Sequence, residues 1–232
     1  MRTIGLLGGM SWESSIEYYR IINEEVRARL GGTHSARSVM YSVDFHQIEQ
    51  MQAAGDWVTA TKAMVEAGRL VQSGGAGCLL ICANTMHLMA EEVQAAIDIP
   101  LLHIADATAD AVRASSIRSV ALLGTRYTME QDFYRGRLED RHELEVLIPD
   151  AADRQIIHDV IYDELVQGTV KDRSRREFLR IIEALVNSGA QGVIAGCTEI
   201  ELLVGPEHVS VPYFPTTRLH ALAAVEWSLA DR

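Results

Sequence analysis

Short apolar runs alternating with longer amphipathic stretches constrain this chain more than any other feature. A brief aliphatic run suits a strand buried on both faces, and the stretch after it suits a crossover helix. Thr3 to Leu7 predicts such a strand, and Trp12 to Leu30 a helix with Ile16, Tyr19, Val26 and Leu30 on one face and Gly31-Gly32 as its stop. Ser38 to Val43 predicts a second strand, Val58 to Ser73 a helix closed by Gly74-Gly75, and Cys78 to Cys82 a third strand. A helix is expected from Thr85, and a fourth strand over Pro100 to Ile104. Strands and helices alternating at this spacing imply parallel βαβ units with right-handed crossovers and helices on both sheet faces.

The pattern then restarts. Val120 to Gly124 echoes Ile4 to Gly8, placing Gly124 116 residues after Gly8. Gly189 to Val193 echoes Gly75 to Leu79 at an offset of 114, and Val211 to Phe214 echoes Ile99 to Leu102 with Pro212 112 residues after Pro100. Three echoes in one order at nearly one offset predict a duplicated lobe. No Pro/Ser-rich linker or low-complexity segment interrupts the chain, so the lobes are expected to pack closely.

Composition narrows the function. The 232 residues are 48% hydrophobic, enough for a real core, and carry a formal net charge of −11. That excess repels polyanions, so nucleic acid and anionic membranes are not expected partners, although a local site can still take a small anion. Three cysteines, Cys78, Cys82 and Cys197, make no disulfide framework, and Cys78 and Cys82 lie in an apolar run where a thiol serves as a small core residue. No signal-peptide pattern and no membrane-spanning apolar stretch is seen, so a cytoplasmic location is expected.

Ligands of open parallel sheets bind beyond the carboxyl ends of the strands. Four polar clusters fall there: Gly8-Gly9-Met10-Ser11, Asn84-Thr85-Met86-His87, Gly124-Thr125 and Gly196-Cys197-Thr198-Glu199. In a duplicated protein they would face one another across a cleft between the lobes. The double glycine fits a tight strand-to-helix turn as well as an anion cradle. The absence of G-x-G-x-x-G and of G-K-[ST] argues against a nucleotide. Cys197 follows a short apolar run, wears a polar collar, and sits where a helix should begin. A helix N-terminus lowers a thiol's pKa, which would let it both give and take a proton. Asn84 and Thr85 can hold a carboxylate or cap a helix. His87 fits a surface or supporting role, and His34, His46, His208 and His220 are scattered. No Cys/His/Asp/Glu set has metal-ligand spacing. The charges from Lys171 to Glu177 fit a solvated helix start.

The segments IGLLGGMSWESSIEYYRIIN, ANTMH, LLGTRYTMEQDFY and GCTEIELL together resemble the aspartate/glutamate racemase family along nearly the whole chain. The resemblance implies an α/β fold of two flavodoxin-like parallel-sheet lobes related by a pseudo-twofold axis. Residues 1–98 with 208–232 would form the first lobe and 99–207 the second. It implies a homodimer acting on a small amino-acid substrate, aspartate or glutamate, with neither pyridoxal phosphate nor metal. Two residues on opposite faces of the substrate would remove and return the α-proton. These positions fall on Ala83, just before Asn84-Thr85, and on Cys197. Substrate contacts would fall on Met10, Gln52, Asn84, Thr85, Thr125 and Thr198, with Glu199 behind them.

Two departures stand out. The family usually has a thiol, or sometimes a hydroxyl, before Asn-Thr, and Ala83 can do neither job. The repeat allows two pairings: an offset of 115, from Leu70 to Leu185, matches Cys82 to Cys197, and an offset of 114 matches Ala83 to it. Counting back from Asn84 favours the second, with strand alternation turning Cys82 away from the cleft. The segment His46 to Gln52 also holds no Arg or Lys to read a side-chain carboxylate, and Glu164 has the wrong sign. A single-thiol enzyme such as an arylmalonate-type decarboxylase, or an amino-acid-binding protein without turnover, is the alternative.

Overall fold

The computed structural model describes residues 1–230. The chain forms two compact units, Met1–Ile104 with the chain from His220 onward, and Ala105–Leu219. Both are parallel-sheet α/β units. No helix among the described residues is long and apolar enough to cross a membrane.

In the first unit, β1 (Ile4–Gly8) lies between β2 (Ser38–Ser42) and β3 (Cys78–Ile81). Leu101 adds one further parallel bridge, to Leu79. Alternation along the strands sorts the core. Leu7, Leu79 and Ile81 pack with helices α2 (Phe45–Ala54) and α3 (Trp57–Ser73). Ile4, Leu6, Cys78, Leu80 and Cys82 pack instead with α1 (Trp12–Leu30) and Ala221, Ala224 and Val225. The face predicted for α1 is corrected. Its buried stripe is Ser14, Ser15, Tyr18, Ile21, Ile22 and Val26, while Ile16 and Tyr19 are exposed. Tyr18, Ile21, Ile22 and Val26 join the core on that face, and the Ser15 hydroxyl accepts the Gly9 N–H at 2.8 Å. Gly9 itself has φ +93°, and a Cβ there would stand 2.2 Å from the Val43 carbonyl oxygen. The double glycine is therefore required by chain packing, with one of its amides already used.

The helix expected from Thr85 begins as a tight 3₁₀ turn, Thr85–Met89, before α4 (Ala90–Ala95). The fourth strand expected over Pro100 to Ile104 shrinks to two hydrogen bonds around Leu79, because α5 (Ile104–Ala114) already claims its last residue.

In the second unit the order is β5 (Glu145–Leu147), β4 (Ser119–Gly124), β6 (Val193–Gly196), β7 (Tyr213–Pro215). Helices α6 (Arg126–Glu130), α7 (Arg135–His142), α8 (Ala151–Asp163), α9 (Asp172–Asn187) and the short α10 (Ile200–Leu203) fill the connections, and α11 (Thr216–Leu229) follows β7. The pairing of β7 with β6 moves the expected boundary. Residues 208–219 stay with the second unit rather than returning to the first, and 99–104 stay with the first.

Numbered within its own unit, each sheet runs 2-1-3-4, the order in which flavodoxin-like sheets begin, with the Leu101 bridge in the last place in the first unit. The register repeats at the offsets seen in the sequence. Gly77 N–H donates to Thr3 O at 2.8 Å, and Gln191 N–H to Ser119 O at 2.8 Å. Leu79 N–H donates to Pro100 O at 2.9 Å, and Val193 N–H to Pro212 O at 2.9 Å. Leu7 pairs with Ile81 as Leu123 pairs with Ala195. Two residues further along, Ala83 therefore matches Cys197 in backbone position, and Cys82 matches Gly196.

Candidate functional site

The second unit brings Gly124-Thr125 and Gly196-Cys197-Thr198-Glu199 to the carboxyl ends of two adjacent strands, since Gly124 pairs with Gly196. Thr125 caps α6, its hydroxyl accepting the Thr128 N–H at 3.3 Å. The next amide, of Arg126, donates to His158 Nδ1 at 3.3 Å. Burial, followed by the Arg126 charge, lowers the pKa of His158 and favours this neutral acceptor.

Cys197 is half-buried, and its Sγ lies 2.8 Å from Glu199 Oε2. Since a carboxylate only accepts, the thiol is the donor. Desolvation first, and then the Glu199 charge, push the thiol pKa well above its ordinary value. This reverses the lowering expected from a helix N-terminus. The helix that follows has only four residues and begins three positions downstream at Ile200, so its field is small beside a carboxylate in contact. Thr198 Oγ1 lies 2.8 Å from Thr217 Oγ1. Thr217 lies in no motif that the sequence shows. Its signal was the 112-residue offset, which makes the residues after Pro215 a strand end like those after His103.

The first unit places Ala83, Asn84 and Thr85 directly beyond β3, with Asn84 and Thr85 buried. Ala83 packs on the α2/α3 side of the sheet, with the cluster that holds Met10. Cys82 is fully buried on the opposite, α1 side, where desolvation raises its pKa, and the same effect takes Cys78 to about 12. Gln52 is buried on α2, its amide 3.1 Å from Met86 Sδ. The helical turn holding Gln52 was not foreseen. Only Ile48 and Gln52 of α2 are buried, which leaves little apolar periodicity to see. His87, expected at the surface or in support, is buried, with Nδ1 2.8 Å from Ala83 O.

Glu164 follows α8 and is engaged locally. It accepts from Ser174 Oγ at 2.6 Å and Lys171 Nζ at 3.1 Å, and the serine hydrogen bond leads in lowering its pKa. Among the described residues, no group of three or more His, Cys, Asp or Glu is placed to hold a metal ion.

This fold, with a thiol at one strand end and buried polar side chains at others, defines a class that known proteins share. The chain matches the Asp/Glu/hydantoin racemase family model over residues 7–224, and it belongs to that family. It is similar to a Yersinia pestis structure described as a candidate Asp/Glu racemase, at 52% identity and a TM-score of 0.93, covering 99% of this chain and 100% of that one. An aspartate racemase homologue from Pyrococcus horikoshii OT3 is 32% identical with a TM-score of 0.85, over 98% of this chain and 99% of the other. The broad-specificity amino-acid racemase RacX of Bacillus subtilis (strain 168) is 20% identical over 73% of this chain and 72% of its own length.

Proposed function

We propose that this protein moves the α-proton of a small acidic amino acid, aspartate or glutamate, without a cofactor, using Cys197 as its acid and base. The observation that carries the reading is the 2.8 Å hydrogen bond from the Cys197 thiol to Glu199 at the end of β6. A thiol held protonated at neutral pH delivers a proton to a carbanion. To remove one, it first passes its own proton to Glu199, and the thiolate then takes the proton from Cα. Both transfers reverse, so the enzyme ends unchanged. Asn84, Thr85, Thr125 and Thr198 supply donors for carboxylate oxygens, and Met10 and Gln52 flank the amino acid. The α-carboxylate so held makes the α-proton more acidic by spreading the developing charge onto its oxygens.

Inversion also needs a proton carrier on the opposite face. At the backbone position equivalent to Cys197, the first unit offers the methyl group of Ala83. We expect the protein to bind its amino acid and exchange one face while inverting it slowly. The same residue favours a second reading, a one-thiol enzyme that protonates a carbanion produced by decarboxylation. We also propose a homodimer in the cytoplasm, consistent with three free cysteines.

The test is deuterium uptake at Cα of aspartate and glutamate in D₂O by the protein and its Cys197→Ser variant. Loss of uptake by about 10²–10⁴-fold in a folded variant supports the assignment, and undiminished uptake refutes it.

A further inference from the structure

We propose that His87 is a positioning residue that orients the Ala83–Asn84 peptide and thereby presents Asn84 to the amino acid. The inference rests on the amino-acid-binding reading above. It starts from a single side chain bonded at both ends. His87 Nδ1 lies 2.8 Å from Ala83 O, and its Nε2 lies 3.3 Å from the Ile104 N–H. A carbonyl only accepts, so Nδ1 carries the proton; an amide N–H only donates, so Nε2 offers a lone pair. Both bonds hold together in just one of the ring's protonation states, the neutral Nδ1–H tautomer.

That tautomer controls geometry at the end of β3. Ala83 C=O and Asn84 N–H share one rigid peptide plane, so a donor fixed on the oxygen sets the direction in which Asn84 leaves the strand. The ring cannot swing aside to release it. His87 is 1% exposed, with the His103 ring at 4.6 Å and the His220 ring at 5.6 Å between centroids. His220 is itself pinned, donating from Nε2 to Leu102 O at 2.6 Å and facing the Tyr18 hydroxyl with Nδ1 at 2.8 Å.

The duplicated unit supplies an internal comparison. There the start of the last helix is tied to the third strand directly, Thr216 Oγ1 donating to Ala195 O at 2.8 Å. At the 112-residue offset the first unit has Ile104, which has no hydroxyl, and His87 ties that helix start to Ala83, two residues beyond the Ile81 that matches Ala195. The position matching His87 in the second unit, at an offset of 114, is Glu201, whose carboxylate cannot donate to a carbonyl. The histidine bridge therefore serves the half whose strand end carries Asn84.

Three substitutions separate positioning from simple core filling. Asparagine puts its amide nitrogen close to the place of Nδ1, whereas glutamine reaches towards Nε2 and leucine keeps bulk alone. Aspartate affinity is measured by calorimetry on folded, gel-filtered protein. We expect His87→Leu and His87→Gln to weaken binding about tenfold or more and His87→Asn to stay within about threefold of the unmodified chain, since small misplacements at a binding group are costly. Should His87→Leu fail to fold, the Gln and Asn pair decides alone. Equal affinity in His87→Gln, or equal loss in His87→Asn and His87→Gln, overturns the inference while leaving the site reading intact. An unmodified chain that binds no aspartate or glutamate overturns both.

Discussion

Cys197 and Glu199 are joined by a thiol-to-carboxylate hydrogen bond of 2.8 Å between side chains two residues apart. The negative charge stabilises the thiol over the thiolate, so removing it has a definite sign. In Glu199→Gln the Cys197 pKa falls towards the ordinary range, and the alkaline rise in thiolate moves to lower pH. Iodoacetamide labelling of Cys197 followed against pH reads this shift directly. Cys78 and Cys82 are expected to stay unlabelled in the folded protein, being buried and raised in pKa. Labelling of Cys197 that begins at the same or higher pH in the variant contradicts the account.

Replacing Ala83 tests the other face. Ala83→Cys restores a proton carrier at the backbone position that mirrors Cys197, and is expected to raise inversion of aspartate or glutamate by about 10²-fold or more. Ala83→Thr is expected to raise it less, because an alcohol is a far weaker acid than a thiol. Polarimetry on both enantiomers gives the answer.

Gly9 is predicted to be intolerant for a structural reason. A Cβ at φ +93° would meet the Val43 carbonyl at 2.2 Å, so Gly9→Ala combines backbone strain with a collision and should cost about 3 kcal/mol or more in urea unfolding. Gly55→Ala is the comparison: its φ is +67° in the left-handed helical region and nothing lies within 4 Å of the added carbon, so about 1 kcal/mol is expected.

Much of this was legible in the sequence, for identifiable reasons. Strands buried on both faces, such as Ile4–Gly8 and Ser119–Gly124, announce themselves as uninterrupted apolar runs. The repeat offsets left both Cys82 and Ala83 open as the match to Cys197, and only the count back from Asn84 chose the Ala83 register that the two sheets have. Helix α2 was missed because its exposed face is polar and only two of its residues are buried. The α1 face was misread because Ser14 and Ser15 lie inside while Ile16 and Tyr19 lie outside, with the inward Ser15 hydroxyl accepting the Gly9 N–H. The boundary near residue 208 slipped because the brief strand Tyr213–Pro215 declares no partner until it pairs with β6. The direction of the Cys197 pKa shift depends on the rotamer that brings Glu199 back onto the thiol, and no residue pattern states a rotamer.

The central claim is that one thiol, Cys197, works on one face of the amino acid while Ala83 leaves the other face without a carrier. Cα–deuterium incorporation into separate L and D enantiomers of aspartate and glutamate, read by mass spectrometry alongside optical rotation, tests it most directly. The account predicts uptake confined to one enantiomer, little inversion, and loss of both in Cys197→Ser. Fast uptake into both enantiomers with full inversion by the unmodified chain would contradict it.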